Sequence, residues 1–288
     1  MRYLNPPVDK KNATKFDTGN VFDTCVSMVK NPALKAELCG VRQQVEDAAA
    51  DYDAKAETGS LHLRTPHDHV GTVTAEKLIK VYTLRMVPKR ATGRPIYDRI
   101  MSAPAHRRCP LCGLGTVNTL DHFLPKTHFP IFSVTPNNLV PACTWCQGKK
   151  LEYYSTTAGG QLLHPYFDDV DNEVWLVAEV VVGAPVVFRY SACPPDHWAP
   201  STKARVATHL EKLNLPLLFS LNAGSRLTEI RARLEKPLQK EGGADAVREH
   251  LIEELSSMEE DHKNSWSAAM YRAAAASDWF CNGGFLGV

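Results

Sequence analysis

Residues Cys109 to Lys150 read CPLCGLGTVNTLDHFLPKTHFPIFSVTPNNLVPACTWCQGKK, and four of their cysteines fall into two Cys-x-x-Cys pairs. Each pair can present two thiolates from a tight turn, so Cys109, Cys112, Cys143 and Cys146 together complete the tetrahedral shell of one structural Zn²⁺. Thirty residues separate the pairs, more than a simple zinc ribbon needs, so the interval is expected to carry further chemistry. Within it stand Asp121 and His122. A histidine whose second ring nitrogen is held by a carbonyl can take a proton from water, one half of what phosphodiester hydrolysis requires; a divalent cation supplies the other half. On a regular strand Asp121 and His122 would point to opposite faces, so a turn or bulge is needed to bring both to one site.

The run Leu120-Asp121-His122-Phe123-Leu124-Pro125, the step Asn138-Leu139-Val140-Pro141-Ala142-Cys143 and the close Cys146-Gln147-Gly148-Lys149-Lys150 resemble the HNH nucleases, the ββα-metal or His-Me finger enzymes. The resemblance implies a two-stranded hairpin with Asp121-His122 near the first strand, a loop carrying Asn138, and a helix begun at the second cysteine pair. It implies His122 as general base, Asp121 as a ligand of catalytic Mg²⁺ or Mn²⁺, and Asn138 as the residue that steadies the loop. The family usually has His or Asn after the last cysteine. Here that position is Gln147, whose amide oxygen is a hard ligand for Mg²⁺ or Mn²⁺ on a chain one methylene longer than Asn. Lys126, His128, Lys149, Lys150 and His164 are the nearby candidates for substrate contact.

The wider pattern is similar to the HNH proteins of prokaryotic anti-phage systems, with the Septu type, in which an HNH subunit is paired with an ATPase, as the nearest. That resemblance implies a defence effector working with a partner ATPase on DNA, with RNA, tRNA included, as the alternative substrate. A zinc-stapled nucleic-acid or protein-binding adaptor with a weakened HNH site is the competing reading, suggested by Gln147 and by a net charge of only +1.

Charge distribution favours a polyanion near the site more than the total does. Residues 76 to 150 carry twelve Lys/Arg against Glu76, Asp98 and Asp121, a surplus that can neutralise phosphates. No signal-peptide-like apolar core or membrane-length run is present, and the scattered Cys25, Cys39, Cys193 and Cys281 suit a reducing compartment, so a cytoplasmic protein without membrane partners is expected.

The elements that must position these residues follow from periodicity. Asn31 as N-cap and Pro32 at the first position predict an amphipathic helix to about Glu57, after a shorter one over 21–29. Gly59 to Gly71, with His67-Asp68-His69, reads as a loop. A helix capped by Thr74 carries the stripe Leu78, Val81, Tyr82, Met86, and a short helix follows around Ile96 to Met101. Asn137 reads as a turn residue after Pro136. Val174–Val182 and Val186–Tyr190 predict a β-hairpin, and four helices are expected from Ser201 onward, with the aromatic C-terminus packed back. The expected fold is α+β: a mainly helical protein with an embedded zinc-stapled ββα-metal core and an additional hairpin. Its divisions are a helical region over 1–104, the nuclease core over 105–170 and a hairpin-plus-helix region over 171–288.

Overall fold

Asp17 and Asn31 each start a helix by accepting a backbone N–H three residues on, from Asn20 at 2.7 Å and from Leu34 at 3.0 Å. In the computed structural model, which describes residues 1–9, 14–239 and 242–287, a two-residue pair β1 (Val8–Asp9) and β2 (Thr14–Lys15) leads to α1 (Thr18–Val26). The helix expected from Asn31 to Glu57 is two: α2 (Pro32–Gly40) and α3 (Arg42–Glu57). The break falls at Val41, with φ −105° and ψ 4°. Gly40 gives up helical geometry at little cost, and the corner buries the Val41 side chain.

A tight hairpin, β3 (His69–Val70) and β4 (Val73–Thr74), opens onto α4 (Ala75–Arg85), and α5 (Arg94–Met101) follows. Thr74 stands at the N-cap of α4 but makes no side-chain cap bond. Leu78, Val81, Tyr82 and Met86 are buried, as their spacing predicts. Then β5 (Thr119–His122) pairs antiparallel with β6 (Leu139–Ala142), with Asp121 opposite Val140 and His122 opposite Leu139. After one residue, Cys143, α6 (Thr144–Lys150) begins. A hairpin whose strands are joined by the long loop 123–138 therefore runs directly into a helix.

Residues 3–169 form one compact unit, so the helical region and the zinc segment, divided at 104 in the sequence reading, belong together. Two tyrosines show why: Tyr82 on α4 donates to the Leu120 carbonyl at 3.2 Å, and the Leu120 N–H donates to the Tyr97 hydroxyl of α5 at 3.4 Å.

Residues 1–2 and 170–288 form a second unit. Here β7 (Leu176–Val181) and β8 (Val187–Ala192) make a six-pair antiparallel hairpin. They are followed by α7 (Pro200–Lys212), α8 (Leu215–Leu238), α9 (Gly243–His262), α10 (Trp266–Ala276) and α11 (Asp278–Cys281). Asn264 closes the hairpin's start by accepting the N–H groups of Trp175 and Leu176 at 2.8 and 3.1 Å. Phe280 and Phe285 are fully buried, so the aromatic C-terminus does pack back. The class is α+β, mainly helical with small antiparallel hairpins. No helix among the described residues is long and apolar enough to cross a membrane.

Candidate active site

The four cysteines converge from the two ends of the segment. Their sulfurs all lie within 4.8 Å of one another, and the Cys112 and Cys143 Sγ atoms are 3.8 Å apart. Zn–S bonds of about 2.3 Å in a tetrahedron give sulfur–sulfur edges of about 3.8 Å, so the site has the dimensions of a Zn²⁺ shell. All four residues are buried. The first knuckle is shaped by two glycines. Gly113, at φ +69°, donates its N–H to the Cys109 carbonyl at 2.7 Å, and Gly115 donates to Cys112 Sγ at 3.3 Å. A Cβ on Gly115 would stand 2.6 Å from Cys143 Sγ, so only glycine lets the knuckles approach. Cys143 is the N-cap residue of α6 and Cys146 lies in its first turn. A metal here would fix where α6 begins.

His122, at the end of β5, is 4% exposed. Its Nε2–H donates to the Ser133 carbonyl at 2.9 Å, and Tyr82 packs edge-on against the ring with centroids 4.5 Å apart. That bond sets the tautomer. It leaves Nδ1 as the proton-accepting nitrogen, with no hydrogen-bond partner among the described residues and not among the sealed-off polar atoms. Burial, reinforced by the charges of Lys126 and Lys150, pushes the imidazole down to about 3, so the ring is neutral.

Asn138 is fully buried and holds the loop that carries this carbonyl. Its Oδ1 accepts the Leu124 N–H at 2.7 Å, while its Nδ2 donates to the Leu124 and Phe132 carbonyls at 3.0 and 3.3 Å. Both ends of the 123–138 loop are thereby clamped, one beside His122 and one beside Ser133. Asn137, expected as a plain turn residue, is also buried and donates to both carboxylate oxygens of Asp53 on α3 at 2.8 Å. Adjacent asparagines thus tie the loop to itself and to α3.

Asp121 and His122 are consecutive residues of β5, paired in regular register opposite Val140 and Leu139. The Asp121 carboxylate is met by α6, where Lys150 places Nζ 3.3 Å from Oδ2 while donating to the His122 carbonyl at 2.6 Å. The contact to Oδ2 is one of charge without hydrogen-bond geometry, so Oδ2 is a buried oxygen lacking a donor. Burial raises the Asp121 carboxyl and lowers the Lys150 ammonium, each opposed by the other's charge. A carboxylate oxygen is a hard ligand for a divalent ion, but here the Lys150 ammonium already stands against it. Gln147, one turn before Lys150 on α6, is exposed, and its amide makes no hydrogen bond among the described residues.

The outer candidates separate. Lys150 is 3% exposed, so the substrate contact expected of it is replaced by the buried role just described. His164 is 1% exposed: Nδ1 accepts the Tyr166 N–H at 3.2 Å, Nε2 meets the Tyr52 hydroxyl at 2.9 Å, and the ring packs 4.1 Å from Phe123. It is a core histidine beneath the loop rather than a group facing substrate. Lys126 is half-buried over the Tyr82 ring, close enough to bear on both Asp121 and His122. Lys149 is exposed over Trp145, and His128 lies beside Tyr154, 3.8 Å from Glu152. Arg85, Lys89, Arg90 and Arg108 make no ion pair among the described residues, whereas Lys77, Lys80 and Arg94 are paired with Glu37, Glu76 and Asp98. The stretch 59–71, expected as a loop, ends in the strand β3: His67 accepts the Ile131 N–H and His69, on β3, pairs with Asp68; the four cysteines are the metal-type cluster among the described residues.

The chain is similar to protein ea31 of Escherichia phage lambda, with 32% identity over 227 residues that cover 74% of this chain and 76% of that protein. No family model matches, and no solved structure matches.

Proposed function

We propose a metal-dependent endonuclease function, of the HNH type, for this chain, which belongs to the family of protein ea31 of Escherichia phage lambda. The observation that carries the reading is the state of His122: Nε2–H spent on the Ser133 carbonyl, a neutral ring, and Nδ1 left to accept a proton. An imidazole so held can take a proton from an attacking water and pass it on. Asp121, through Oδ2, and Gln147, through its amide oxygen, would hold Mg²⁺ or Mn²⁺. That ion, when bound, supplies positive charge to the phosphoryl group and the leaving oxygen. Asn138 is a positioning residue, keeping Ser133 where it orients His122. Lys126, Lys149 and the unpaired arginines and lysine of residues 85–108 attract the polyanionic backbone. The zinc site holds the frame and takes no part in the reaction.

DNA is the favoured polymer. Purified protein with Mg²⁺ or Mn²⁺ is expected to nick plasmid, leaving 5′-phosphate and 3′-hydroxyl ends. Total RNA in a parallel arm tests the ribonuclease alternative. The resemblance to anti-phage systems adds a partner ATPase and a defence role to the proposal, tested by repeating both arms with the candidate ATPase present. No cleavage of either polymer in any arm would overturn the nuclease reading.

The exposed amide of Gln147 and the lysine already paired with Asp121 favour a second reading, a zinc-stapled adaptor whose metal site has weakened. Gln147→Asn separates the two. A weakened enzyme gains several-fold in cleavage at limiting Mg²⁺, because the shorter amide restores the family's ligand; an adaptor stays inactive in both forms while still binding DNA in a mobility-shift assay.

A further inference from the structure

Lys150 is the most unusual buried charge in the 3–169 unit. Its Nζ reaches the two residues proposed to carry the chemistry, the His122 carbonyl at 2.6 Å and Asp121 Oδ2 at 3.3 Å. It ends α6, one turn beyond Cys146 on the same helix, and the next residue, Leu151, leaves the helix at φ +46°. The ammonium is therefore placed by the helix that the cysteine cluster anchors. A buried lysine with 2% of its side chain exposed is costly unless its charge is answered, and the only carboxylate paired with it among the described residues is Asp121.

We infer that Lys150 is a built-in counter-ion and positioning residue: it neutralises Asp121 and pins the end of β5 to α6, so a divalent ion must share or displace an ammonium to reach the carboxylate. The pairing of Lys150 with Asp121 and the His122 carbonyl stands on geometry, while the role of Asp121 as the ligand of a divalent ion rests on the nuclease reading above. Two consequences oppose each other. Removing the ammonium frees a carboxylate for the cation and so tightens metal binding. It also loosens the His122 carbonyl and the strand that presents the imidazole, which slows turnover even with metal saturating. A lysine that only contacted substrate phosphate would do neither, and one that only packed the site would weaken metal binding when lost.

The experiment measures Mn²⁺ affinity from the electron paramagnetic resonance of free Mn²⁺, with cleavage assayed on the same zinc-loaded samples. Lys150→Met should bind Mn²⁺ on the order of tenfold more tightly, since a full charge beside the ligand is removed, while its turnover at saturating Mn²⁺ falls. Lys150→Arg keeps the charge and should keep the weak affinity. Asp121→Asn should abolish the binding, which locates the ion. Unchanged or weaker Mn²⁺ affinity in Lys150→Met, or binding that survives Asp121→Asn, would overturn the inference. If Lys150→Met loses zinc, Lys150→Gln, which retains a donor for the His122 carbonyl, carries the same comparison. Tighter Mn²⁺ binding in a protein that cuts neither DNA nor RNA would keep the counter-ion inference and refute the nuclease reading, so the two fail separately.

Discussion

His122→Ala should abolish Mg²⁺- or Mn²⁺-dependent plasmid nicking, with a loss on the order of a hundredfold to ten-thousandfold, the range for removing a general base. The loss should appear in kcat, because Nδ1 acts on water and does not hold the nucleic acid. Truncation also leaves the buried Ser133 carbonyl without its donor and a void beneath Tyr82, so some stability goes with it. His122→Gln removes that ambiguity. Its amide can still donate to the Ser133 carbonyl, yet it offers no basic nitrogen, so it should retain zinc and DNA binding and remain inactive. Cleavage by His122→Gln at the wild-type rate, with zinc and folding intact, would take His122 out of the mechanism.

The same burial leaves a signature in stability that needs no substrate. The folded-state value of His122 is pushed down to about 3, whereas an imidazole in the unfolded chain titrates near 6.5. Between those values the unfolded state binds the extra proton and the folded state does not. Stability from keeping this ring neutral is therefore complete above about pH 6.5 and is lost as pH falls toward 3, at up to about 1.4 kcal/mol per pH unit. His122→Gln has no such group. Its stability deficit relative to wild type should shrink by roughly 2 kcal/mol between pH 7 and pH 4.5, read from urea unfolding. A deficit constant across that interval would mean that the folded ring takes up its proton over the same pH range as the unfolded one.

How much of this was legible in the residues depends on which atoms carry each role. The cysteine pairs announce themselves because metal ligation fixes both residue type and spacing, and their sulfurs do meet. Asn138 could be marked from the motif, and it makes three hydrogen bonds to Leu124 and Phe132 across the loop. What orients His122, however, is the backbone oxygen of Ser133, and no side-chain pattern identifies a carbonyl. Lys150 was visible as a basic residue near the site, but a lysine at a helix end is ordinarily solvated. Only the packing of α6 against β5 turns its side chain inward, and that is tertiary information. His164 misled for the converse reason: a histidine near a metal segment invites a functional role, while the aromatic residues around it, Tyr52, Phe123, Tyr166 and Phe167, claim it for the core. The break at Val41 was likewise hidden, since the apolar spacing runs smoothly across Gly40 and only the turn itself shows where the chain changes direction.

Stripping zinc should be the largest perturbation of the 3–169 unit. The cysteine cluster joins the turn at 109–115 to the start of α6, and β5 and β6 share only four residue pairs. So short a hairpin is not stable alone. Without metal, four buried thiols crowd and share protons at one point, and hydrogen bonds from the other three cysteines push the Cys143 thiol below its ordinary value. Structural zinc sites contribute free energy on the order of 10 kcal/mol in small domains, and even a fraction of that in a unit of this size corresponds to a fall in Tm on the order of 10 °C. Chelation at neutral pH, or Cys143→Ser, should therefore lower the melting transition by about that amount and release one zinc per chain. The loss should reach the site as well: as α6 frays, Lys150 withdraws from Asp121 and the His122 carbonyl, and nicking stops even with Mg²⁺ present. Calorimetry and elemental analysis on the same sample decide it. A melting transition that does not move after the zinc has demonstrably left would mean that the hairpin and helix are held by the α4 and α5 tyrosines, not by the metal.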